Sequence, residues 1–165
     1  MQLSAVPMMH AANTSTPYSS SARSADSEKK TEEAELLIKL GRLEEASAVV
    51  DQLIKGEQGK NPDTLETALY LYQSLGRYEA AIETAENLYR LEPENHALLK
   101  TQGEILFQLK QFSDAEEKLK RYHEKVQDDY RSYHLLGDVY AALGRDTESR
   151  GSYERALSIL QKTKS

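Results

Sequence analysis

The sequence predicts an all-α fold, an array of antiparallel helix pairs stacked one on the next. Three observations predict it. Leu-Gly-Arg occurs three times, as Leu40-Gly41-Arg42, Leu75-Gly76-Arg77 and Leu143-Gly144-Arg145. Gly41 and Gly76 stand 35 residues apart, and Gly76 and Gly144 stand 68 apart, twice 34. On both sides of the turn the apolar residues recur at helical spacing: Leu98, Leu99, Ile105, Leu106 and Leu109, then Phe112, Ala115 and Leu119. A fixed period of this length marks a repeat architecture, in which each unit is one supersecondary element.

The period is therefore 34, with one extra residue between the first two units. Lys55-Gly56-Glu57-Gln58-Gly59-Lys60 is the expected place for it, as a glycine-rich loop joining them. The missing Leu-Gly-Arg copy falls at Leu109-Lys110-Gln111. Each turn glycine can adopt the left-handed conformation that ends one helix and sends the chain back. Helix starts are marked in order by Ser27, by Asn61 with Pro62 at the first helical position, by Asn95 and by Asp129. Pro93 stands where the preceding helix must stop. Small residues recur where the two helices of a unit must approach, at Ala46, Ala81, Ala115 and Ser149. Leu43, Tyr78 and Phe112 lie three residues before the first three of these.

Residues 1–26 differ in composition from the rest. The stretch from Asn13 to Ser24 is rich in Ser and Thr and has no apolar period, so 1–26 is expected to be a disordered tail. Arg23 is the sole base in 1–25, and Leu3–Met9 is short for a secretory core, so a tag or linker is expected before a targeting segment. The array occupies 27–165, in units 27–61, 62–95, 96–129 and 130–163.

These residues resemble the tetratricopeptide repeat, a helix–turn–helix unit of 34 residues. The fourth unit carries the resemblance best, through Tyr133, Leu136-Gly137, Tyr140, Gly144 and Ala156. The second matches at Tyr72, Gly76, Tyr78, Ala81 and Pro93, and the third at Gly103, Phe112 and Ala115. The first departs from the pattern, with Lys30 and Glu33 at positions where the family prefers apolar residues. In the fourth, Asp146 replaces the usual aromatic and Ser149 the alanine, so loose packing of its second helix is expected.

The resemblance implies a right-handed superhelical array and a non-catalytic scaffold or adaptor. A peptide or partner protein would then lie in the concave groove lined by the first helix of each unit. Position within the unit places Glu35, Glu66, Tyr70, Gln73, Lys100, Glu104, Phe107, Arg131, His134 and Asp138 in that groove. Tyr70 and Phe107 are the aromatics to watch, since each can either stack on a ligand or pack on a neighbouring unit. Formal charge is −2 over 27–61, −5 over 62–95, −1 over 96–129 and +2 over 130–165, which suits a ligand basic toward the second unit. Chaperone-binding relatives grip a C-terminal carboxylate with Lys, Asn and Arg. Here those positions hold Thr31, Glu35, Thr67, Ala97 and Thr101, or Glu66, Tyr70, Thr101, Arg131 and Leu135 one unit on. The glutamates would repel a carboxylate, so that ligand is not expected.

Other functions find little footing. Net charge is −6, whereas phosphate binding needs a basic surface. Lys118, Lys120, Arg121 and Lys125 sit among Glu116, Glu117, Glu124, Asp128 and Asp129, as on a solvated helix face. No apolar run reaches the ~20 residues a membrane-spanning helix needs. Cysteine is absent, and His10, His96, His123 and His134 show no metal-ligand spacing; His96 and His123 are expected at the surface. The carboxylate pairs Glu32-Glu33, Glu44-Glu45 and Glu116-Glu117 are adjacent on helices and cannot converge on a substrate. No phosphate-binding glycine loop or nucleophile turn occurs. An enzyme, a cofactor and a metal are not expected, and a cytoplasmic location is. The chain stops at Gln161–Ser165 soon after the fourth unit's second helix, whose outer side is expected to be polar or covered by another copy. A homo-oligomer through that unit, as a self-assembling module, is the alternative function, and a small secretion chaperone of this repeat type is a further one.

Overall fold

The computed structural model describes residues 25–55 and 57–164. They form eight α-helices and no strand. Helix α1 covers 25–39. Next come α2 (Leu43–Ile54), a 3₁₀ turn (Glu57–Lys60), α3 (Pro62–Ser74), α4 (Tyr78–Leu91), α5 (Ala97–Gln108), α6 (Phe112–His123), α7 (Tyr130–Ala142) and α8 (Asp146–Thr163). Helices α3, α5 and α7 each pair with the next helix, α1 and α2 are joined by the same kind of turn, and the units stack in chain order as a superhelical array.

All four hairpin turns close in the same way. The residue after each first helix lies in the left-handed region: Gly41 at φ 73°, Gly76 at 70°, Lys110 at 59° and Gly144 at 74°. Its amide donates three residues back, and the next amide donates five back, as in Gly76 N to Gln73 O and Arg77 N to Tyr72 O. This double bond pair satisfies carbonyls that a helix end leaves without partners. Lys110, standing where the glycine is missing, adopts the glycine conformation nonetheless. The period of the array thus overrides the cost of placing a side-chain-bearing residue there.

Helix starts are less uniform. Asn61 caps α3 by accepting from Asp63 N at 2.9 Å, with Pro62 at the first helical position. Asp129 caps α7, accepting from Arg131 N at 3.0 Å and Ser132 N at 3.4 Å. Two expected caps are not found. Helix α1 already includes residues 25 and 26, so Ser27 lies inside it, its carbonyl accepting from Thr31 Oγ1 at 2.9 Å. Asn95 turns its amide to Glu92 Oε2 at 3.1 Å, and α5 starts after His96 without a side-chain cap. Residues 1–24, most of the expected tail, lie outside the described residues, as does Gly56 of the joining loop.

Ala46, Ala81 and Ala115 are fully buried between the helices of their units. Ser149 holds that place in the fourth, where its Oγ donates to Gly137 O at 2.8 Å. The fourth unit is not loose. A Cβ on Gly137 would stand 2.4 Å from the Tyr153 ring, and one on Gly103 would stand 2.8 Å from Leu119 Cγ. Glycine is what lets α7 approach α8, and α5 approach α6, this closely. The core runs through the units in two clusters, one around Leu71, Tyr72, Leu88 and Ile105, the other around Leu119, Leu136 and Val139. Ile82 packs against both and joins them. Each fully buried leucine in this row stabilises the fold by about 1.5–3 kcal/mol relative to its exposed state.

Candidate functional site

Stacking sets the first helices α1, α3, α5 and α7 at one place in successive units, and α5 touches α7 directly. Residues one period apart therefore form rows across the four helices. Glu35, Tyr70, Glu104 and Asp138 share one such position, so three carboxylates and one tyrosine line up along the face. Glu66, Lys100 and His134 form the adjoining row, and Gln73 and Phe107 a third. Spacing of four residues puts Glu66 and Tyr70 on the same side of α3.

The rows are unevenly available. Glu35, Glu66, Arg131 and His134 are exposed, and the Tyr70 ring is 61% exposed. The Tyr70 hydroxyl bonds to no other described residue. Gln73 is half-buried. Phe107 turns inward, packing edge-on against Phe112 with centroids 5.5 Å apart and against the second core cluster. Of the two aromatics singled out by the sequence, one is part of the interior and the other stands open.

Lys100 is already paired. Its Nζ lies 2.7 Å from Asp129 Oδ2, both side chains being mostly buried. Tyr122 donates to the same oxygen at 3.0 Å. Burial alone would raise the Asp129 carboxyl, but the bonds from Lys100 and Tyr122 outweigh it and hold the group below the usual carboxylate range. Burial, helped by the bond to Asp129, pushes the Tyr122 phenol up to about 12. Glu104 beside them is raised by burial, with Lys100 opposing and Asp129 adding to the shift. At the far end Asp138 accepts from Tyr153 at 2.5 Å and lies 3.9 Å from His134, whose ring meets Tyr153 edge-on. Arg131 bonds its neighbour Tyr130 at 3.1 Å.

Asp129, Tyr122, His123 and Tyr153 shape this face without having been counted in it. Asp129 was legible as a cap; its pairing with Lys100 was not. His123, expected at the surface, is half-buried and lies flat on Tyr133, centroids 3.8 Å apart and planes 5° apart. Its Nε2 is 2.8 Å from Ser132 Oγ, whose single proton goes to Asp129 O at 2.8 Å. The imidazole must then donate from Nε2 and be neutral or protonated at Nδ1. Burial pulls its pKa from 6.5 to about 4, so it is neutral near pH 7.

On the other side of the first junction a cleft is lined by Asp51, Tyr72, Arg77, Glu83 and Asn87. Tyr72 and Arg77 both donate to Asp51 there, at 2.7 and 2.9 Å, so its polar groups hold the units together. Among the described residues no group of three or more His, Asp or Glu is arranged to hold a metal ion, and no helix is long and apolar enough to cross a membrane.

Two sequence profiles, both described as tetratricopeptide repeat, match the chain over residues 72–143 and 130–161. No curated protein sequence matches it. Among solved structures, MamA residues 41 to the end from Desulfovibrio magneticus RS-1 is similar at 20% identity and a TM-score of 0.66, covering 81% of this chain and 75% of that one. MamA MSR-1 C2 is similar at 15% identity and 0.68, covering 77% and 72%. The nearly identical TPR-like repeats of a candidate kinesin light chain from Podosopora anserina are similar at 20% and 0.68, covering 84% and 76%. Likeness at these identities concerns the fold alone. With the repeat matched from Tyr72 to Gln161 and four identically closed hairpins, the chain belongs to the tetratricopeptide repeat family, whose arrays serve as protein-interaction scaffolds.

Proposed function

We propose that this chain is a non-catalytic adaptor whose groove holds an extended, basic segment of a partner protein, centred on the second unit. The row Glu35, Tyr70, Glu104 and Asp138 carries the reading. It offers an exposed ring in a row of carboxylates, while Lys100, the cation of the adjoining row, is bound to Asp129. An aromatic ring beside acidic groups favours Arg or Lys by stacking and by charge together. The net charge of the second unit, −5, acts in the same direction. A free C-terminal carboxylate is disfavoured, because the positions that would grip it include the exposed Glu35 and Glu66 and offer Arg131 as their one basic side chain.

The test is fluorescence anisotropy with a labelled Arg/Lys-rich peptide and an acidic peptide of equal length. Binding of the basic peptide is expected to weaken about tenfold or more in Tyr70→Ala and again in Glu66→Lys, and to fall with added salt. Neither substitution touches the core, so the melting temperature should hold. Equal binding of the acidic peptide, or indifference to Tyr70→Ala, would move the site off this face. Lys100→Glu is a poor probe, since it removes the partner of Asp129 and loosens the joint.

A further inference from the structure

Subtracting the period exposes a difference between the first unit and the others. Leu36 occupies the position of Leu71, Ile105 and Val139. Those three are fully buried, whereas Leu36 is 58% exposed. Leu40 matches Leu75, Leu109 and Leu143, all half-buried, and is itself 69% exposed. Leu43 matches the half-buried Tyr78 and Phe112 and is also exposed. In the later units the second helix of the unit before packs over the first helix. Among the described residues no such helix precedes α1 and α2.

The outer side of α8 shows the reverse half of the same joint. Tyr153 stands where Val50, Ala85 and Leu119 are fully buried, and it is exposed. Leu157 stands where Ile54, Tyr89 and His123 are half-buried, and it is 54% exposed. With Ser149, Arg150 and Glu154 they line an open groove. One face is shaped to receive a unit, the other to be received.

Charged residues mark the same joint. Inside the array, the arginine after the hairpin turn reaches back to the preceding unit. Arg77 donates to Ser47 and to Asp51, and Arg145 to Glu116 while also holding its own Glu148. Arg42 is the equivalent residue of the first unit, and it holds its own Glu45, the counterpart of Glu148. On α8 the positions of Ser47 and Asp51 are taken by Arg150 and Glu154. A first unit seated on α8 as the second is seated on α2 would put Arg42 against Glu154, at the place of Asp51, while Arg150 stands at the place of Ser47 and Glu116, beside the Glu45 that Arg42 holds. Net charge follows the same sense, −2 on the first unit and +2 over 130–165.

We propose that the occupant of both faces is a second copy of this chain, docked head to tail, with α1 and α2 of one copy continuing the array past α8 of the other. The contact is heterologous, so it does not close after two copies; chains of copies lengthen with concentration. The groove over α3 stays open in such an assembly, and the two proposals fail independently.

Sedimentation velocity and light scattering on the full chain test this. The average mass should rise steadily with concentration beyond that of two chains. Leu36→Glu with Leu40→Glu, or Leu157→Glu alone, should each weaken association by about tenfold or more, the loss expected from one leucine's burial. Circular dichroism and thermal melting would check that each variant is folded. The deciding step is to mix the two variants, since each retains one intact end. They should form a one-to-one dimer and nothing larger. A wild-type chain that stays monomeric, or one that forms a dimer of fixed mass, overturns the proposal. So does a monomer that associates only after removal of residues 1–24, which would make that segment the cover of the leucine stripe.

Discussion

Lys100 Nζ and Asp129 Oδ2 lie 2.7 Å apart, and this pair ties the third unit to the start of the fourth. Asp129 uses its other oxygen to cap α7 and takes a further bond from Tyr122. One carboxylate thus serves a helix start, a charge pair and a joint. The groove's middle cation is held at the joint and is not offered to a ligand.

Asp129→Ala should therefore destabilise the chain by about 2–3 kcal/mol, the sum of a lost cap and of polar groups left without their charged partner. Asp129→Asn keeps an oxygen for the cap, and its loss should be roughly half as large. Urea denaturation with an unchanged slope would measure both. Equal losses would show that the cap contributes nothing.

His123 makes stability depend on pH. In the unfolded chain an imidazole takes its proton near pH 6.5, and in the folded chain burial delays that to about 4. Between these values the unfolded state holds more protons, so stability falls as pH falls. The contribution is full above pH 6.5 and gone by about pH 4, about 2–3 kcal/mol in all. Asp129 pulls the imidazole the other way, and its own carboxyl, held low, gives up its contribution at still lower pH. His123→Gln keeps a donor for Ser132 without titrating. Urea midpoints at pH 7, 5.5 and 4.5 should decline less steeply in that variant, and an unaltered decline would sink the assignment.

The repeat was legible because turn chemistry is local: three glycines at one period mark the hairpins, and Asn61 and Asp129 mark two helix starts. Asn95 misled because Glu92, three residues before it, offers its amide a nearer partner. What the sequence left hidden lies across joints. Lys100 meets Asp129, and Arg145 meets Glu116, each 29 residues away in the chain, a distance that no helical spacing marks. Phe107 and Tyr70 looked alike as groove aromatics. They stand at different places in the unit: Tyr70 shares the place of Glu35 and Glu104, whereas Phe107 shares the half-buried place of Gln73 and is met there by Phe112, just past the hairpin turn. His123 was misplaced because Tyr133 and Ser132 of the next unit bury it.

The two glycines inside first helices should differ in their tolerance. A Cβ at Gly103 would meet the fully buried Leu119 at 2.8 Å, with no room for that side chain to move. At Gly137 it would meet the Tyr153 ring at 2.4 Å, but that ring is partly in solvent and can swing aside, giving up its bond to Asp138. Alanine also gains about 1 kcal/mol over glycine in helix propensity. Gly103→Ala should then cost about 1–2 kcal/mol net, and Gly137→Ala close to nothing. Denaturant midpoints of the two variants, compared side by side, check the order; a reversed order would mean that α8 is the more tightly held helix.

Lys110 offers the opposite experiment. It carries a side chain at φ 59°, while its three counterparts Gly41, Gly76 and Gly144 hold the same conformation without one. A left-handed non-glycine residue costs roughly 1–2 kcal/mol, part of which glycine would return as unfolded-state entropy. Lys110→Gly should consequently stabilise the chain by about 0.5–1 kcal/mol, and Gly76→Ala should destabilise it by about 1 kcal/mol. The Cβ of an alanine at Gly76 would meet no atom within 4 Å, so any loss there is backbone strain alone. Thermal melts should move in opposite directions. If Lys110→Gly lowers the melting temperature, the lysine side chain contributes more at that turn than its backbone conformation costs.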